Sequence, residues 1–379
     1  MRVLRVGLVG FGHVGRRFAE LLQGPYRRAL RAAELRVLVT GVATARHGFA
    51  IDPRGLLLRD CLALVEGGAS LAALHRGRPL ASTLELIRRV PADVLVELTP
   101  LDPRRGEPAV SHVRAALRRS LHVVTANKGP VAFALRPLRA LARRQGRLFL
   151  YESAVMDGAP VFNLVERCLP GVRVLGFRGT LNSTTGYVLS RVERGESPAA
   201  ALQKARALGI VEADPRHDLD GWDAAVKGCA LASALMGARL DPRRVPRRGI
   251  RGLSPALVRR AAREGACVRL VVRGERVGRR VRVRVGPERL AAGDPLAGGG
   301  SDSALVLETD LMGEIALVEK GGTVDQTAYG VLSDLLALGA AAAVHPATRP
   351  ADPPGRRGAR AATSRARPPR PAGRRPRRT

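Results

Sequence analysis

Strand-length apolar runs and amphipathic stretches alternate along the first 150 positions of the chain. The apolar runs span 3–9, 35–43, 94–98 and 122–125, and helical patterns span 13–22 and 109–119. Strands that alternate with helices form a parallel sheet whose crossover helices cover its faces. The pattern therefore predicts a doubly wound α/β domain in residues 1–150.

The pattern changes after this first domain, where glycine and proline interrupt short segments. Strand patterns follow at 172–179 and 268–285, and the second alternates arginine with valine as a half-exposed strand does. We predict a second, α+β domain over 151–323, followed by a helix at 324–338 that packs back on the first domain. Proline, glycine and arginine dominate 341–379, which we predict to be a disordered tail.

A glycine-rich turn separates the first strand from the first helix. It reads Gly10-Phe11-Gly12-His13-Val14-Gly15. In a dinucleotide-binding turn, the glycines allow a tight bend, close approach of a pyrophosphate and close packing of helix on strand. The motif between a strand and a helix predicts a Rossmann-type NAD(P) site, with an ordinary glycine-rich turn as the alternative.

The second strand ends without the acidic residue that often binds the ribose of NAD. Arg46 stands there instead and could pair with the 2′-phosphate of NADP. We therefore expect NADP as the cofactor, with NAD as the second choice. The alternative is that Arg46 is a solvated loop residue.

The charge of the chain is strongly basic, with a formal net charge of +31. Eleven arginines and one aspartate fall in 349–379, so ten of these charges belong to the tail. Aromatic residues make up 3% of the chain, too few to suggest base stacking, and no RNA-binding signature occurs. A nucleic-acid partner is not expected. The sequence does not decide whether the tail binds polyanions, is a passive extension or results from a shifted reading frame.

Several other classes of protein do not fit the sequence. No signal peptide precedes the first strand and no apolar run is long enough to cross a bilayer, so we expect a cytoplasmic protein without a membrane partner. The four cysteines form no CxxC pair and no zinc-ligand spacing. Neither a disulfide framework nor a zinc site is indicated.

Lysine is rare in this chain, and its positions are therefore informative. Only four of the 64 basic residues are lysines, and Lys227 follows five carboxylates in 212–227. Lysine can exchange a proton near neutral pH, whereas arginine cannot. Asp223 lies one turn before Lys227 on a helix that we predict to be capped by Asp220. A surface ion pair would have the same spacing. Lys128 follows a strand of the first sheet, at the edge where such sheets bind ligands.

Five blocks of the sequence together resemble homoserine dehydrogenase. They are 10–15, 125–128 (TANK), 151–160 (YESAVMDGAP), 179–187 (GTLNSTTGY) and 212–227. The resemblance runs from about residue 3 to about residue 338. It implies NAD(P)-dependent interconversion of L-homoserine and L-aspartate 4-semialdehyde, toward threonine, methionine and isoleucine. It also implies a homodimer or homotetramer that assembles through the second domain, which carries catalysis as well.

The resemblance assigns roles to individual residues. Lys227 matches the proton-transfer lysine and Lys128 a second lysine at the reaction centre. Asp223 matches an acid that places the substrate, while Glu212 and Asp218 match substrate-binding acids. The expected cofactor contacts are Gly10, Phe11, Gly12, His13, Val14, Gly15, Arg46, Thr99, Asn127 and Lys128. Two ammonium groups lower each other's pKa and carboxylates raise it, so the net effect is open at this point.

The block at 151–160 matches a monovalent cation site, usually sodium, of the same family. Glu152 and the carbonyls of Val155, Asp157 and Ala159 would be its ligands, unless Glu152 simply caps a loop. The chain also departs from the family at Gly186, where an asparagine is common, which puts a role for that side chain in doubt. No threonine-sensing domain follows residue 338, so feedback through such a domain is not expected.

Two rival functions remain. Another two-domain oxidoreductase could act on an amino-acid-derived aldehyde, and an acylating enzyme of this kind would need a nucleophilic cysteine. A nucleotide-sensing or polyanion-binding protein could have kept the fold without catalysis. Binding of NADPH without homoserine-dependent turnover would favour the second rival.

Overall fold

Two sheets, one mainly parallel and one antiparallel, organise the chain in this computed structural model, which describes residues 1–24, 26–211 and 215–344. The strands of the first sheet are β1 (Arg2–Val9), β2 (Leu35–Ala43), β3 (Phe49–Ile51), β4 (Val94–Glu97), β5 (His122–Thr125) and β6 (Phe149–Leu150). Their order is β3-β2-β1-β4-β5-β6, and only the pairing of β3 with β2 is antiparallel. Central strands of such a sheet are apolar because both faces are covered. Val6 and Leu8 of β1 are accordingly inaccessible to solvent.

Helices connect these strands, as the alternating pattern predicted. They are α1 (His13–Gln23), α2 (Arg27–Ala32), α3 (Leu58–Glu66), α4 (Thr83–Arg89), α5 (Ala109–Arg118) and α6 (Lys128–Arg144). The predicted doubly wound parallel sheet is confirmed. The chain leaves β1 toward β2 on one side and later returns to β4 on the other. The crevice at the carboxyl ends of β1 and β4 is therefore the expected ligand site.

The second sheet is antiparallel and has the order β11-β10-β7-β8-β9. Its strands are β7 (Val174–Thr180), β8 (Ala266–Val277), β9 (Arg280–Ala291), β10 (Ser303–Thr309) and β11 (Glu314–Glu319). The remaining helices are α7 (Val161–Asn163), α8 (Ser183–Glu193), α9 (Pro198–Ala207), α10 (Arg216–Leu219), α11 (Trp222–Leu235), α12 (Pro255–Arg263) and α13 (Val324–Val344). Short 3-10 turns form at Leu71–Leu74, Glu152–Ala154, Pro242–Arg244 and Pro295–Ala297, and a π turn forms at Leu164–Cys168.

The segment 268–285, which we predicted as one strand, is a hairpin. Strand β8 ends at Val277 and β9 begins at Arg280, and these two residues pair across the turn. Gly278 has φ +59°, a left-handed conformation that glycine adopts without strain. The alternation of arginine and valine continues on both sides of the turn. A prediction based on this period alone therefore gives one strand and misses the turn.

Helix α13 packs against α1, and it is longer than predicted. The Arg17 guanidinium donates to both carboxylate oxygens of Asp325 (2.7 and 2.9 Å), and the rings of Tyr26 and Tyr329 lie 5.6 Å apart. The helix runs to Val344, so 341–344 do not belong to the predicted tail. Four consecutive alanines extend it, since alanine has the highest helix propensity. Residues 345–379 of that tail lie outside the described part of the chain.

None of the helices in the described ranges is long and apolar enough to traverse a lipid bilayer.

Candidate active site

The glycine-rich turn forms the floor of the crevice between β1 and β4. Gly10 has φ +95°, and a Cβ placed on it would lie 2.5 Å from the backbone of Leu98. A Cβ on Gly15 would lie 2.4 Å from the Gly10 carbonyl oxygen. A Cβ on Gly12 would meet nothing within 4 Å. Two glycines are thus required by close packing inside the protein, whereas Gly12 faces open space that a ligand can approach.

Helix α1 begins at this turn with its amides available. Gly12 is the N-cap, no side chain caps the helix, and its first turn carries no acidic residue. The N-terminal amides and the helix dipole favour an anion at such a position. Phe11 is buried and His13 is exposed beside them. The turn and the helix N-terminus fit the pyrophosphate of a dinucleotide.

Arg46 lies at the tip of a tight turn that follows β2. The Thr44 amide donates to the Gly48 carbonyl (3.0 Å), and the His47 amide donates to Thr44 Oγ1 (2.7 Å). Arg46 is exposed and has no ion pair with any other described residue. Its guanidinium is therefore available to a phosphate on the ribose of a bound nucleotide.

The next two strand ends bring Thr99, Asn127 and Lys128 together. Asn127 caps α6, because its Oδ1 accepts the Gly129 amide (2.8 Å). Its Nδ2 donates to the carbonyl of Thr99 (2.8 Å), which links the end of β4 to the end of β5. Lys128 is the first residue of α6 and projects toward the second sheet domain.

Lys128 and Lys227 share one carboxylate. Lys128 Nζ donates to Asp223 Oδ1 (2.9 Å), and Lys227 Nζ lies 3.8 Å from Asp223 Oδ2. Lys227 also donates to the carbonyl of Leu181. All three charged side chains are mostly buried, with 13 to 21% of each exposed. A surface ion pair between Asp223 and Lys227 does not describe this arrangement, because a second lysine from a distant part of the chain completes it.

Electrostatics favour the charged forms of Lys128 and Asp223. Burial alone would lower the pKa of Lys128, but the carboxylates, Asp223 first and then Asp218 and Asp157, together more than offset this and raise it. Burial would likewise raise the pKa of Asp223, yet the two lysines bring it well below its usual range. The sequence left open whether a neighbouring ammonium lowers the pKa of Lys128 or the carboxylates raise it. In the structure the effect of the carboxylates is larger, and the pKa of Lys128 is raised.

Asp218 joins the same cluster through side chains of α8. Asn182 Nδ2 donates to Asp218 Oδ1 (2.8 Å) and to Asp223 Oδ2 (3.0 Å), while Thr184 Oγ1 donates to Asp218 Oδ2 (2.8 Å). Burial, and then repulsion from Asp223, raise the pKa of Asp218. Asn182 Oδ1 meanwhile caps α8 by accepting the Thr185 amide (2.9 Å). Asn182 therefore connects Asp218, Asp223 and the start of α8.

The predicted cap of α11 is wrong. Asp220 does not cap the helix but forms a two-point ion pair with Arg251 (2.6 and 2.8 Å). Gly221 is the N-cap and has φ +78°, and no side chain caps it. Small buried residues then bring α11 close to the second sheet: a Cβ on Gly228 would lie 2.5 Å from Val272. This packing fixes the face from which Asp223 and Lys227 project.

Gly186, where an asparagine is common in the family, lies against another part of the backbone. A Cβ at this position would lie 2.8 Å from the Gly300 carbonyl oxygen. Any larger side chain requires the 298–302 loop to move. The glycine is thus explained by packing.

The residues of the expected cation site make other contacts. Glu152 Oε1 accepts the Phe162 amide and Oε2 accepts the Asn163 amide, each at 2.8 Å. The carbonyl of Ala159 accepts the Val161 amide (2.8 Å). Glu152 thus caps the α7 turn, and each of its carboxylate oxygens accepts one amide. Across the described ranges, no three His, Cys, Asp or Glu side chains gather as metal ligands.

Glu212 and the four cysteines are the remaining residues that the sequence analysis considered. Glu212 lies outside the described residues. Burial raises the pKa of Cys61 to about 11 and of Cys229 to about 12, so neither thiol is prepared to act as a nucleophile. Burial also raises the pKa of Cys267. Cys168 is exposed on the π turn.

Comparison with known proteins gives a consistent result along most of the chain. The family model described as "Homoserine dehydrogenase, NAD binding domain" matches residues 10–152, and the one described as "Homoserine dehydrogenase" matches residues 160–336.

Individual relatives agree with the family models. An NAD(+)-dependent homoserine dehydrogenase of Pseudomonas canavaninivorans is 33% identical over 89% of this chain and 96% of its own length. A homoserine dehydrogenase of Methanocaldococcus jannaschii is 33% identical over 87% of this chain and 96% of its own. The solved structure of a hyperthermophilic archaeal homoserine dehydrogenase in complex with NADPH superimposes with a TM-score of 0.74 at 27% identity, and covers 88% of this chain and 97% of that one. The chain belongs to the homoserine dehydrogenase family.

Proposed function

We propose that the protein interconverts L-homoserine and L-aspartate 4-semialdehyde with NADP as its preferred cofactor. The observation that carries this proposal is the buried Asp223 carboxylate, which lies 2.9 Å from Lys128 Nζ and 3.8 Å from Lys227 Nζ. Family membership supplies the substrate class. Homoserine-dependent reduction of NADP by the purified protein tests the proposal.

Lys227 moves the proton in this mechanism. In the oxidising direction, the neutral amine accepts the hydroxyl proton of homoserine while the carbon loses a hydride; in the reducing direction, the ammonium returns the proton to the oxygen. The bound nicotinamide supplies the hydride chemistry. Asp223 keeps Lys227 beside Lys128, and the Lys128 ammonium stabilises negative charge as it develops on the substrate oxygen.

Two carboxylates would hold the amino group of the substrate. Asp218 directs its oxygens toward Asn182 and Thr184, and Asn182 Nδ2 links it to Asp223. Glu212 is the second carboxylate that we propose for the ammonium group. An ammonium donates three hydrogen bonds, so two carboxylates can share it.

We propose NADP over NAD because Arg46, in the turn after β2, is exposed and forms no ion pair with the part of the chain that the structure describes. Relatives differ in this respect: one is named as NAD(+)-dependent and another was solved with NADPH. Arg46→Ala is expected to lower kcat/KM for NADP relative to NAD by about tenfold, the value of one charge-assisted hydrogen bond to phosphate. Initial rates with both cofactors measure this ratio.

The exposed Arg36 offers a matched control on the opposite end of β2. Arg36→Ala is expected to leave the ratio of the two cofactors unchanged. An unchanged ratio in Arg46→Ala as well would remove the basis for the NADP preference.

A monovalent cation, sodium, at Glu152, Val155, Asp157 and Ala159 rests on the resemblance alone. The ligands would be Glu152 and these carbonyl oxygens, and we assign the ion no step in the reaction. A bound sodium ion would raise the melting temperature in sodium chloride above that in potassium chloride at equal ionic strength. Equal melting temperatures and equal turnover in the two salts would eliminate the cation from the account.

The acylating rival has little support in the cysteines. Cys61 and Cys229 are buried with raised pKa values, and no hydrogen bond joins a described thiol to Lys128 or Lys227.

We further propose that residues 1–150 bind the cofactor and that residues 151–323 carry catalysis. Residues 151–323 would also form the interface of a homodimer or homotetramer. The cytoplasmic location stays a prediction.

A further inference from the structure

A buried carboxylate lies beneath the junction of the proposed cofactor and lysine sites. Glu97 is the last residue of β4 and has no accessible surface. Its Oε1 accepts both the amide (3.1 Å) and the hydroxyl of Thr99, and the Thr125 hydroxyl is shared between Glu97 Oε2 (3.0 Å) and the Glu97 backbone carbonyl (2.9 Å). A carboxylate without solvent is costly unless such donors surround it. His112 is also buried here, with Nδ1 3.6 Å from Glu97 Oε1.

The donors to Glu97 belong to a closed ring of hydrogen bonds. The Asn127 amide donates to Thr125 Oγ1 (3.0 Å), and Asn127 Nδ2 donates to the Thr99 carbonyl (2.8 Å). The ring therefore runs from Glu97 to Thr99, Asn127, Thr125 and back to Glu97. It connects the turn after β4 with the turn after β5.

The ring includes Asn127, the residue directly before Lys128, whose ammonium contacts Asp223. Lys128 follows Asn127 directly, and the Asn127 side chain fixes the first turn of α6 by accepting the Gly129 amide. The ring thus fixes the start of α6. It thereby also fixes the position of Lys128 Nζ, which lies 2.9 Å from Asp223 Oδ1. The turn after β5 has no proline between Thr125 and Lys128, so without the ring it would have many other conformations, and each would move the ammonium.

We infer that Glu97 and Thr125 are positioning residues of the reaction centre, which act by holding the Thr99 turn and the Lys128 turn in one fixed relation. This inference rests on the proposed function, since it requires Lys128 to serve the reaction. Neither residue touches substrate or cofactor in this account. A misplacement of about 1 Å at a reacting group can lower turnover on the order of 100-fold, so a buried brace of this kind affects kcat.

The test compares two hydroxyl deletions in the same sheet of the full-length protein. Thr125→Val removes the link to Glu97 and to the Asn127 amide. Thr40→Val removes an equally buried hydroxyl of β2, which donates to the carbonyls of Val6 and Pro91 and takes no part in the ring. Thr125→Ser restores the hydroxyl. We would measure kcat and KM for homoserine, together with melting temperature, for all three variants.

Thr125→Val is expected to lower kcat at least about tenfold below Thr40→Val at a temperature where both are folded, and Thr125→Ser to recover most of the loss. Glu97→Gln, which cannot accept all three donors, is expected to lower kcat and raise the KM for NADP. If Thr125→Val does not fold, Glu97→Gln decides, since an unchanged kcat there overturns the inference.

Equal kcat in Thr125→Val and Thr40→Val would likewise overturn the inference, as would a Thr125→Ser variant as impaired as the valine. These outcomes differ from a failure of the proposed function, because the wild-type protein would still turn over homoserine. A wild-type protein without such turnover would overturn both.

Discussion

Replacing Lys227 with alanine is expected to lower kcat for homoserine oxidation by at least about 100-fold, since a positioned acid or base contributes 100- to 10,000-fold. Binding of NADPH should change little, because Lys227 contacts Asp223 and the Leu181 carbonyl rather than the glycine-rich turn. Initial rates give kcat, and quenching or enhancement of nicotinamide fluorescence gives the dissociation constant.

Lys227→Arg is expected to fail as well. It keeps the positive charge but cannot release a proton near neutral pH. Lys204→Ala is the matched control, because Lys204 is an exposed lysine that pairs with Glu196 on the surface. Normal turnover in Lys227→Ala or Lys227→Arg would show that another group moves the proton.

Asp223→Asn is expected to lower kcat on the order of 100-fold, as removal of one preorganised charge at a reaction centre does. It leaves two ammonium groups without the carboxylate that holds them together. Asp223 raises the pKa of Lys128, so its loss must lower that pKa. Any limb of the pH–rate profile that reports this ammonium therefore moves to lower pH, never to higher pH.

The control for this variant is Asp220→Asn, which removes a carboxylate three residues away. Asp220 pairs with Arg251 rather than with a lysine, so both kcat and the pH profile should stay close to those of the wild type. A profile of Asp223→Asn that shifts upward, or does not shift while kcat falls, would mean that Asp223 does not set the charge state of Lys128.

The first sheet could be predicted from the sequence because its signals are local. The apolar run of β1 and the glycine turn that follows it specify a strand, a bend and a helix within 20 residues. The hairpin at Gly278 could not be predicted in the same way. Arginine and valine alternate on both sides of it, and one glycine between Val277 and Arg279 does not distinguish a turn from a continuous strand.

The site was predictable where rare residue types carried the signal. Lys128 and Lys227 stood out among arginines, and Asp223 lay at helical spacing from one of them. That Asp223 bridges both lysines is a tertiary fact, since 95 residues separate it from Lys128. Asn182 and Glu97 gave no such signal: the first has the sequence of a helix cap and the second that of a strand end, and only the fold reveals what they contact.

The measurement that tests the account most directly is the homoserine-dependent reduction of NADP and NAD by the purified wild-type protein, followed by nicotinamide absorbance beside Lys227→Ala. The account predicts turnover that requires L-homoserine, is more efficient with NADP than with NAD, and falls at least about 100-fold in the variant. A folded protein that binds NADPH but reduces neither cofactor with homoserine would contradict it.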